Sequence, residues 1–180
     1  MLTLSTSGSV FEKNPRRLQE VRCRPLADAI YKRVFGDLIT IKRHEREDAY
    51  LLDKEFAMDV TITLPIGLVL TGQEKFLSQK YAKYRSVTIE HMQNPATNEK
   101  GDWFKMAVQF YFVGYESADG KTFSPWIMLN WPSIVNATAK GAIHWIDNRN
   151  KDGHARASFR YCVMDKIPES CVIAKDVGAE

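Results

Sequence analysis

The chain has few cysteines and no long apolar run. Only three of its 180 residues are cysteine, and no CxxC spacing occurs. A disulfide framework is therefore not expected, and a reducing compartment fits better. No stretch approaches the roughly 20 apolar residues of a membrane span, and the N-terminus has no apolar run of signal-peptide length. These absences predict a soluble, cytoplasmic protein with no membrane partner.

The composition is that of an ordinary globular domain with a mild positive charge. Hydrophobic residues make up 44% of the chain and charged residues 26%, which provides enough apolar material for a core. The length suits one domain. We expect a flexible N-terminal arm over residues 1–13 and a single domain over residues 14–180. The net charge of +3 permits a polyanionic partner without requiring one.

Helix signals stand near the start of the chain. Asn14 followed by Pro15 predicts a helix start, since asparagine caps helices and proline suits the first turn. Gly36 is placed to end this helix. Pro25 lies between them and predicts a kink or two abutting helices.

Strands are predicted where β-branched and apolar residues alternate with polar ones between turn residues. The predicted strands are residues 37–45, a hairpin over 56–77, residues 86–92, the end of 103–116, residues 123–130 and residues 157–164. The other predicted elements are a polar connection over 46–55, a basic helix or turn over 78–85 and a helix over 132–144. This order predicts an α/β fold in which helices flank a mixed central sheet with the hairpin in its middle.

Polar side chains interrupt the second strand of the hairpin. Strand parity places Gln73 and Lys75 on one face and Glu74 on the other, and the short turn brings Asp59 across from Gln73 and Lys75. Burying these groups without partners would be costly, and a metal ion with a phosphate would partner them. An ion pair between Asp59 and Lys75 at the sheet end is one alternative. A β-bulge at Gly72, which would make Glu74 the metal-facing residue, is another.

The residues MD at 58–59, a hairpin and QEK at 73–75 resemble the PD-(D/E)XK nuclease superfamily. In that family an aspartate ends one strand, and an acidic residue and a lysine lie two apart on the next. The order of a leading helix, three strands, a basic helix and another strand over residues 15–92 is also similar. Two positions depart from the pattern. Met58 is at a position where the family often has proline. Gln73 replaces the acidic residue, and a glutamine at this position is a known variant of the superfamily.

The resemblance implies a restriction-endonuclease-like fold and a metal-dependent nuclease that hydrolyses phosphodiester bonds of DNA. Asp59, Gln73 and the backbone carbonyl of Glu74 would hold Mg²⁺, and Mn²⁺ would substitute for it. Such an ion polarises the phosphate and lowers the pKa of an attacking water. Lys75 would orient that water and offset charge in the transition state.

DNA is the partner that the resemblance implies, and a homodimer is compatible with it. Because Gln73 replaces an acidic residue, the alternative is a catalytically inactive nucleic-acid-binding or structural module that retains the nuclease-like fold.

Other charged residues are candidates for the same site. Glu20 on the first helix and Glu90 in a predicted strand are candidate additional carboxylates, against the alternative that both are ordinary surface charges. Two basic clusters are candidates for phosphate contacts, although a solvated helix face would explain either one. They contain Arg16 and Arg17 on the first helix, and Lys80, Lys83 and Arg85 in the basic segment.

Overall fold

The computed structural model describes residues 15–44, 47–149 and 157–176, without the side chains of 47–50 and 149. Asn14 and the expected arm over residues 1–13 lie outside this part of the chain. The α-helices of the described part are α1 Pro15–Phe35, α2 Glu47–Phe56 and α3 Trp131–Ala139. Its strands are β1 Thr40–Arg43, β2 Val60–Thr63, β3 Val69–Leu77, β4 Ser86–Asn94, β5 Glu99–Lys100, β6 Phe110–Glu116, β7 Phe123–Asn130, β8 Ile146–Arg149, β9 Ser158–Val163 and β10 Val172–Asp176. Short 3₁₀ helices include Gln79–Tyr84 and Asp102–Phe104.

The strands form two sheets. One has six strands in the order β1-β2-β3-β6-β7-β10, and the other has four in the order β5-β4-β9-β8. The six-stranded sheet is mixed, because β3 runs antiparallel to β2 and parallel to β6. The prediction of a mixed α/β fold is confirmed at this level, and the hairpin β2–β3 reaches the centre of the larger sheet.

Apolar clusters cover both faces of the six-stranded sheet. On one face α1 packs against the phenylalanines of β6, with the Tyr31 ring 5.6 Å from the rings of both Phe110 and Phe112. On the other face Tyr111 and Val113 of β6 join a second cluster with α3 and the smaller sheet. Alternate side chains of the central strands therefore enter two different environments.

The first helix is continuous, so the alternative of two abutting helices at Pro25 was wrong. Pro25 lies inside α1 and is exposed. Proline leaves the carbonyl one turn earlier without a helical donor, and that carbonyl belongs to Val21, which is also exposed. Water can therefore hydrate it. Gly36, at φ 97°, follows the helix end as predicted.

Several other elements differ from the expectation. Residues 46–55 were expected to be a polar connection, but Glu47–Phe56 form α2, because good helix formers there outweigh the polar composition. The helix expected over 132–144 is Trp131–Ala139, and Gly141 follows it in a left-handed conformation at φ 72°.

Two strands show how the chain is divided between the two sheets. The strand expected over 86–92 is present as β4 but belongs to the smaller sheet, and β10, which had no predicted counterpart, joins the larger one.

No helix in the described ranges is long and apolar enough to cross a membrane.

Candidate functional site

Asp59 is held at the point where the β2–β3 ladder ends. Its backbone N–H donates to the carbonyl of Gly72 at 2.9 Å, and its carboxylate Oδ2 accepts from the backbone N–H of Glu74 at 2.9 Å. Peptide groups of alternate strand residues face the same edge. The backbone carbonyl of Glu74 therefore faces the edge of β3 along which the Asp59 carboxylate lies.

A strained turn delivers Asp59 to this position. Ala57, between α2 and β2, is fully buried and has a φ of 47°, a region that L-residues other than glycine adopt at a cost of about 1–2 kcal/mol. Its N–H donates to the carbonyl of Asp53 at 2.9 Å, which closes the end of α2. The reversal allows β2 to start directly after the helix.

The register of β3 is regular on both sides of Gly72. Val60 pairs with Gly72 on one side, and Gly72 and Gln73 pair with Phe110 and Tyr111 on the other. A Cβ on Gly72 would lie 2.1 Å from the Phe110 ring, so a close approach requires glycine here. No bulge interrupts these pairings, and Gln73 and Lys75 share one face of the strand.

Glu74 points to the opposite face and is fully engaged there. Arg43 donates from Nε to Oε2 and from Nη2 to Oε1, both at 2.9 Å, and the Tyr31 hydroxyl donates to Oε1 at 2.8 Å. Arg43 also pairs with Asp28 on α1 at 2.6 Å. The carboxylate of Glu74 therefore ties β1 and α1 to the central strand, which is a structural task.

Gln73 is one of four described residues with a buried side-chain atom that has no hydrogen-bond partner; the others are Gln19, Asp28 and Arg85. The residue is only 8% exposed, and its side-chain Oε1 has no hydrogen-bond partner among the described residues. An unsatisfied buried polar group costs about 1–3 kcal/mol. A cation, water or ligand donor that reached this oxygen would remove the cost.

One cavity of ≈ 970 Å³ joins these groups. It lies between the six-stranded sheet, the smaller sheet and the start of α1. The candidate residues that line it, besides Glu74, are Arg16, Glu20, Asp59, Gln73, Lys75 and Lys80. The sequence-based set is thus largely brought together in space.

Burial shapes the electrostatics of this cavity. It raises the pKa of Asp59 to about 7, against the opposing effect of the Glu74 amide hydrogen bond, and the carboxylates of Glu74, Asp53 and Asp102 add to the increase. Burial also lowers the pKa of Lys75, as does the nearby charge of Arg16. Both groups are therefore less readily charged than in water.

Asp59 and Lys75 do not form the alternative ion pair. None of the salt bridges between described residues, all with N–O distances within 4.0 Å, pairs Asp59 with Lys75. The Lys75 Nζ instead lies 5.6 Å from the centre of the Phe159 ring on β9. The lysine thus spans the cavity toward the smaller sheet.

The two extra carboxylates occupy different positions. Glu20 lines the cavity and pairs with Arg16 at 3.5 Å. Glu90 is half-buried on β4, where burial and the neighbouring carboxylate of Asp102 raise its pKa and the charge of Lys75 lowers it. Glu90 is not among the residues that line the cavity, but its charge acts on Lys75. The role of both residues as additional carboxylates of the site stays a prediction.

The predicted basic residues divide into two groups. Lys80 borders the cavity and Lys83 is exposed beside it on the same 3₁₀ helix. Arg85, by contrast, is directed toward Asp165, with 3.9 Å between Nη2 and Oδ1. Arg17 is exposed on the first turn of α1.

Asp102 is a site residue that the sequence did not reveal. It begins the 3₁₀ helix Asp102–Phe104, lines the cavity, and its charge acts on Asp59, Lys75 and Glu90. The close packing of Gly101 on Glu90, where a Cβ would lie 2.7 Å from the backbone oxygen, brings it there. Only the tertiary fold provides this signal, because the segment reads as a polar loop.

Oxygen atoms that line the cavity are of the kind that a hard cation binds. In the described ranges no three His, Cys, Asp or Glu side chains are arranged to hold a metal. Asp59 and Gln73, with the Glu74 carbonyl, would instead offer a carboxylate, an amide oxygen and a peptide oxygen. Mg²⁺ commonly uses one or two carboxylates and keeps several waters. The unpartnered Gln73 oxygen fits such a ligand set.

No protein-family model, curated protein or solved structure was found to match this chain.

Proposed function

We propose that the protein is a metal-dependent nuclease that hydrolyses phosphodiester bonds of DNA. The observation that carries the proposal is the buried, unpartnered Oε1 of Gln73, which lies on the strand face of Lys75 and lines the same cavity as Asp59. This arrangement leaves one oxygen donor without a partner in a cavity that also contains a carboxylate and an ammonium group.

Each residue has a distinct part in the proposed reaction. Asp59, Gln73 and the Glu74 carbonyl would hold the ion, which on binding polarises the phosphate and acidifies a water. Lys75 would position the attacking water and stabilise negative charge that develops on the phosphate oxygens. Burial lowers the pKa of Lys75. A substrate phosphate nearby would oppose this effect and favour the charged form of the lysine.

The fold supports a restriction-endonuclease-like core in its order of elements. The helix α1 is followed by the antiparallel strands β1, β2 and β3, with α2 between the first two. The basic 3₁₀ helix Gln79–Tyr84 comes next. The added helix α2 and the second sheet go beyond that pattern. The resemblance therefore concerns the part of the fold that positions Asp59, Gln73 and Lys75.

A non-catalytic nucleic-acid-binding module is the second candidate. One observation favours it: the ligand set holds a single carboxylate side chain, and burial raises the pKa of that carboxylate, which disfavours its charged form. A set with so little negative charge attracts a cation weakly.

Cleavage assays separate the two candidates. The protein is incubated with supercoiled plasmid and with single-stranded circular DNA in Mg²⁺, in Mn²⁺ and in EDTA. The nuclease proposal expects cleavage of at least one substrate with either metal, loss in EDTA and loss in Asp59→Ala with DNA binding retained. If neither substrate is cut in either metal while DNA is bound, the protein is a binding module.

A further inference from the structure

We propose that the cavity takes single-stranded nucleic acid, with Tyr81 and Tyr84 as platforms for unstacked bases. The inference rests on the proposed function only in that the bound strand would be the substrate that is cleaved. The binding itself requires no cleavage.

The two tyrosines are presented by a well-defined turn. The 3₁₀ helix Gln79–Tyr84 directly follows β3, which carries Gln73 and Lys75. The Tyr81 N–H donates to the Ser78 carbonyl at 3.0 Å, and Ala82 packs against the core. The packing of Ala82 therefore holds the backbone that carries both rings against the core.

Both rings are exposed at the mouth of the cavity. Tyr81 is 46% exposed and Tyr84 is 58% exposed, and both line the cavity. The ammonium groups of Lys80 and Lys83 lie 4.8 Å and 5.2 Å from the respective ring centres. Each ring thus has positive charge beside it, and its exposed part is accessible to a flat ligand.

The cavity has further aromatic residues in its lining. Phe159 and Tyr161 of β9 line the same cavity, and Lys75 extends toward Phe159. Aromatic groups interleaved with cations are the usual composition of single-strand binding grooves, where bases stack on rings and the backbone follows the charges.

The chemistry favours a single strand over a duplex. In a duplex both faces of each base are covered by neighbouring bases, so only unstacked bases can use an exposed ring. The candidate site is also recessed between two sheets, and Gln73 is only 8% exposed. A phosphate must therefore reach a recessed site, which a flexible single strand does more readily than a rigid duplex.

Binding measurements without metal test the inference. Fluorescence anisotropy in EDTA compares a labelled oligothymidylate, an oligouridylate of equal length and a blunt DNA duplex. We expect at least one of the two single strands to bind at least tenfold more tightly than the duplex. Tyr81→Ala and Tyr84→Ala should each weaken single-strand binding about tenfold, while the Tyr→Phe variants should bind like the parent.

The chain offers a matched control in Phe104. It is 48% exposed, with Lys100 5.2 Å from its ring centre, but it lies on another 3₁₀ helix. Phe104→Ala should leave single-strand binding unchanged. Duplex binding as tight as that of both single strands, or losses at the tyrosines no larger than that of Phe104→Ala, would overturn the inference. Single-strand binding that depends on the tyrosines but is not followed by cleavage would support this inference and refute only the nuclease proposal.

Discussion

The carboxylate of Asp59 accepts a hydrogen bond from the backbone N–H of Glu74 at 2.9 Å. This contact extends the pairing of β2 with β3 beyond the last backbone pair at Gly72. It also holds the carboxylate beside the face of β3 that carries Gln73 and Lys75. Asp59 is therefore both a structural acceptor and the proposed ligand of a cation, and an asparagine would keep the first role while it weakens the second.

Asp59 should make the metal-free protein less stable as the pH rises. Its pKa is about 7 when folded and about 3.9 in an unfolded chain. Between these values the folded state binds more protons, so the free energy of unfolding falls as pH increases from about 4 to about 7. The effect is a few kcal/mol at most, at about 1.4 kcal/mol per pKa unit.

Urea denaturation in EDTA between pH 4 and pH 8 measures this effect. Asp59→Asn should flatten the slope and should be more stable than the parent at pH 8. Other buried carboxylates contribute to the slope of both proteins, so the difference between them isolates Asp59. Parallel curves for the two proteins would show that the Asp59 carboxylate is not buried as described.

Gln73 and Glu74 should respond differently to a change of charge. Gln73→Glu adds a carboxylate beside Asp59, so we expect lower stability in EDTA and Mn²⁺ binding that is preserved or tighter by calorimetry. Glu74→Gln weakens the pairing with Arg43 and should lower stability by about 3–5 kcal/mol, with unchanged Mn²⁺ stoichiometry. If a folded Glu74→Gln protein no longer binds Mn²⁺, Glu74 and not Gln73 is the metal-facing residue.

Lys75 should matter for rate through its charge. Lys75→Ala should reduce the cleavage rate about a hundredfold or more, as loss of one charge-stabilising donor does. Lys75→Met keeps an unbranched apolar side chain of similar length and should be equally slow. Single-turnover cleavage measures both. A Met variant with the parent's rate would mean that packing, and not the ammonium group, is what the site uses.

Lys80 and Lys83 should contribute to the salt dependence of nucleic-acid binding. Replacing both with alanine should weaken binding of any sequence and flatten the plot of log affinity against log salt by about one to two units. Arg85→Ala is the control, because that side chain is directed toward Asp165. An unchanged slope in the double variant would leave the lysines as ordinary surface charges.

The sequence predicted the local geometry of the site better than its surroundings. Period-two alternation determines which side chains of β3 share a face, so the amino-acid pattern alone separates Gln73 and Lys75 from Glu74. The partners of Glu74 could not be predicted, because Arg43 and Tyr31 meet it only after β1 and α1 have packed on the sheet.

The misplaced elements have a related cause. The helix α2 was hidden by its polar composition, and β4 had a correct local pattern that could not show which sheet it joins. Asp102 entered the site through the packing of Gly101 on Glu90, which depends on contacts between strand and loop. Local patterns determine faces and turns, whereas long-range contacts determine which faces meet.

The position of a bound ion tests the central claim most directly. Crystals of the protein in Mn²⁺ should give an anomalous difference peak about 2.1 Å from a carboxylate oxygen of Asp59 and from Oε1 of Gln73, and the peak should be absent in Asp59→Ala. A structure at saturating Mn²⁺ without a peak at Asp59, or with the ion on the carboxylate of Glu74, would contradict the proposed site.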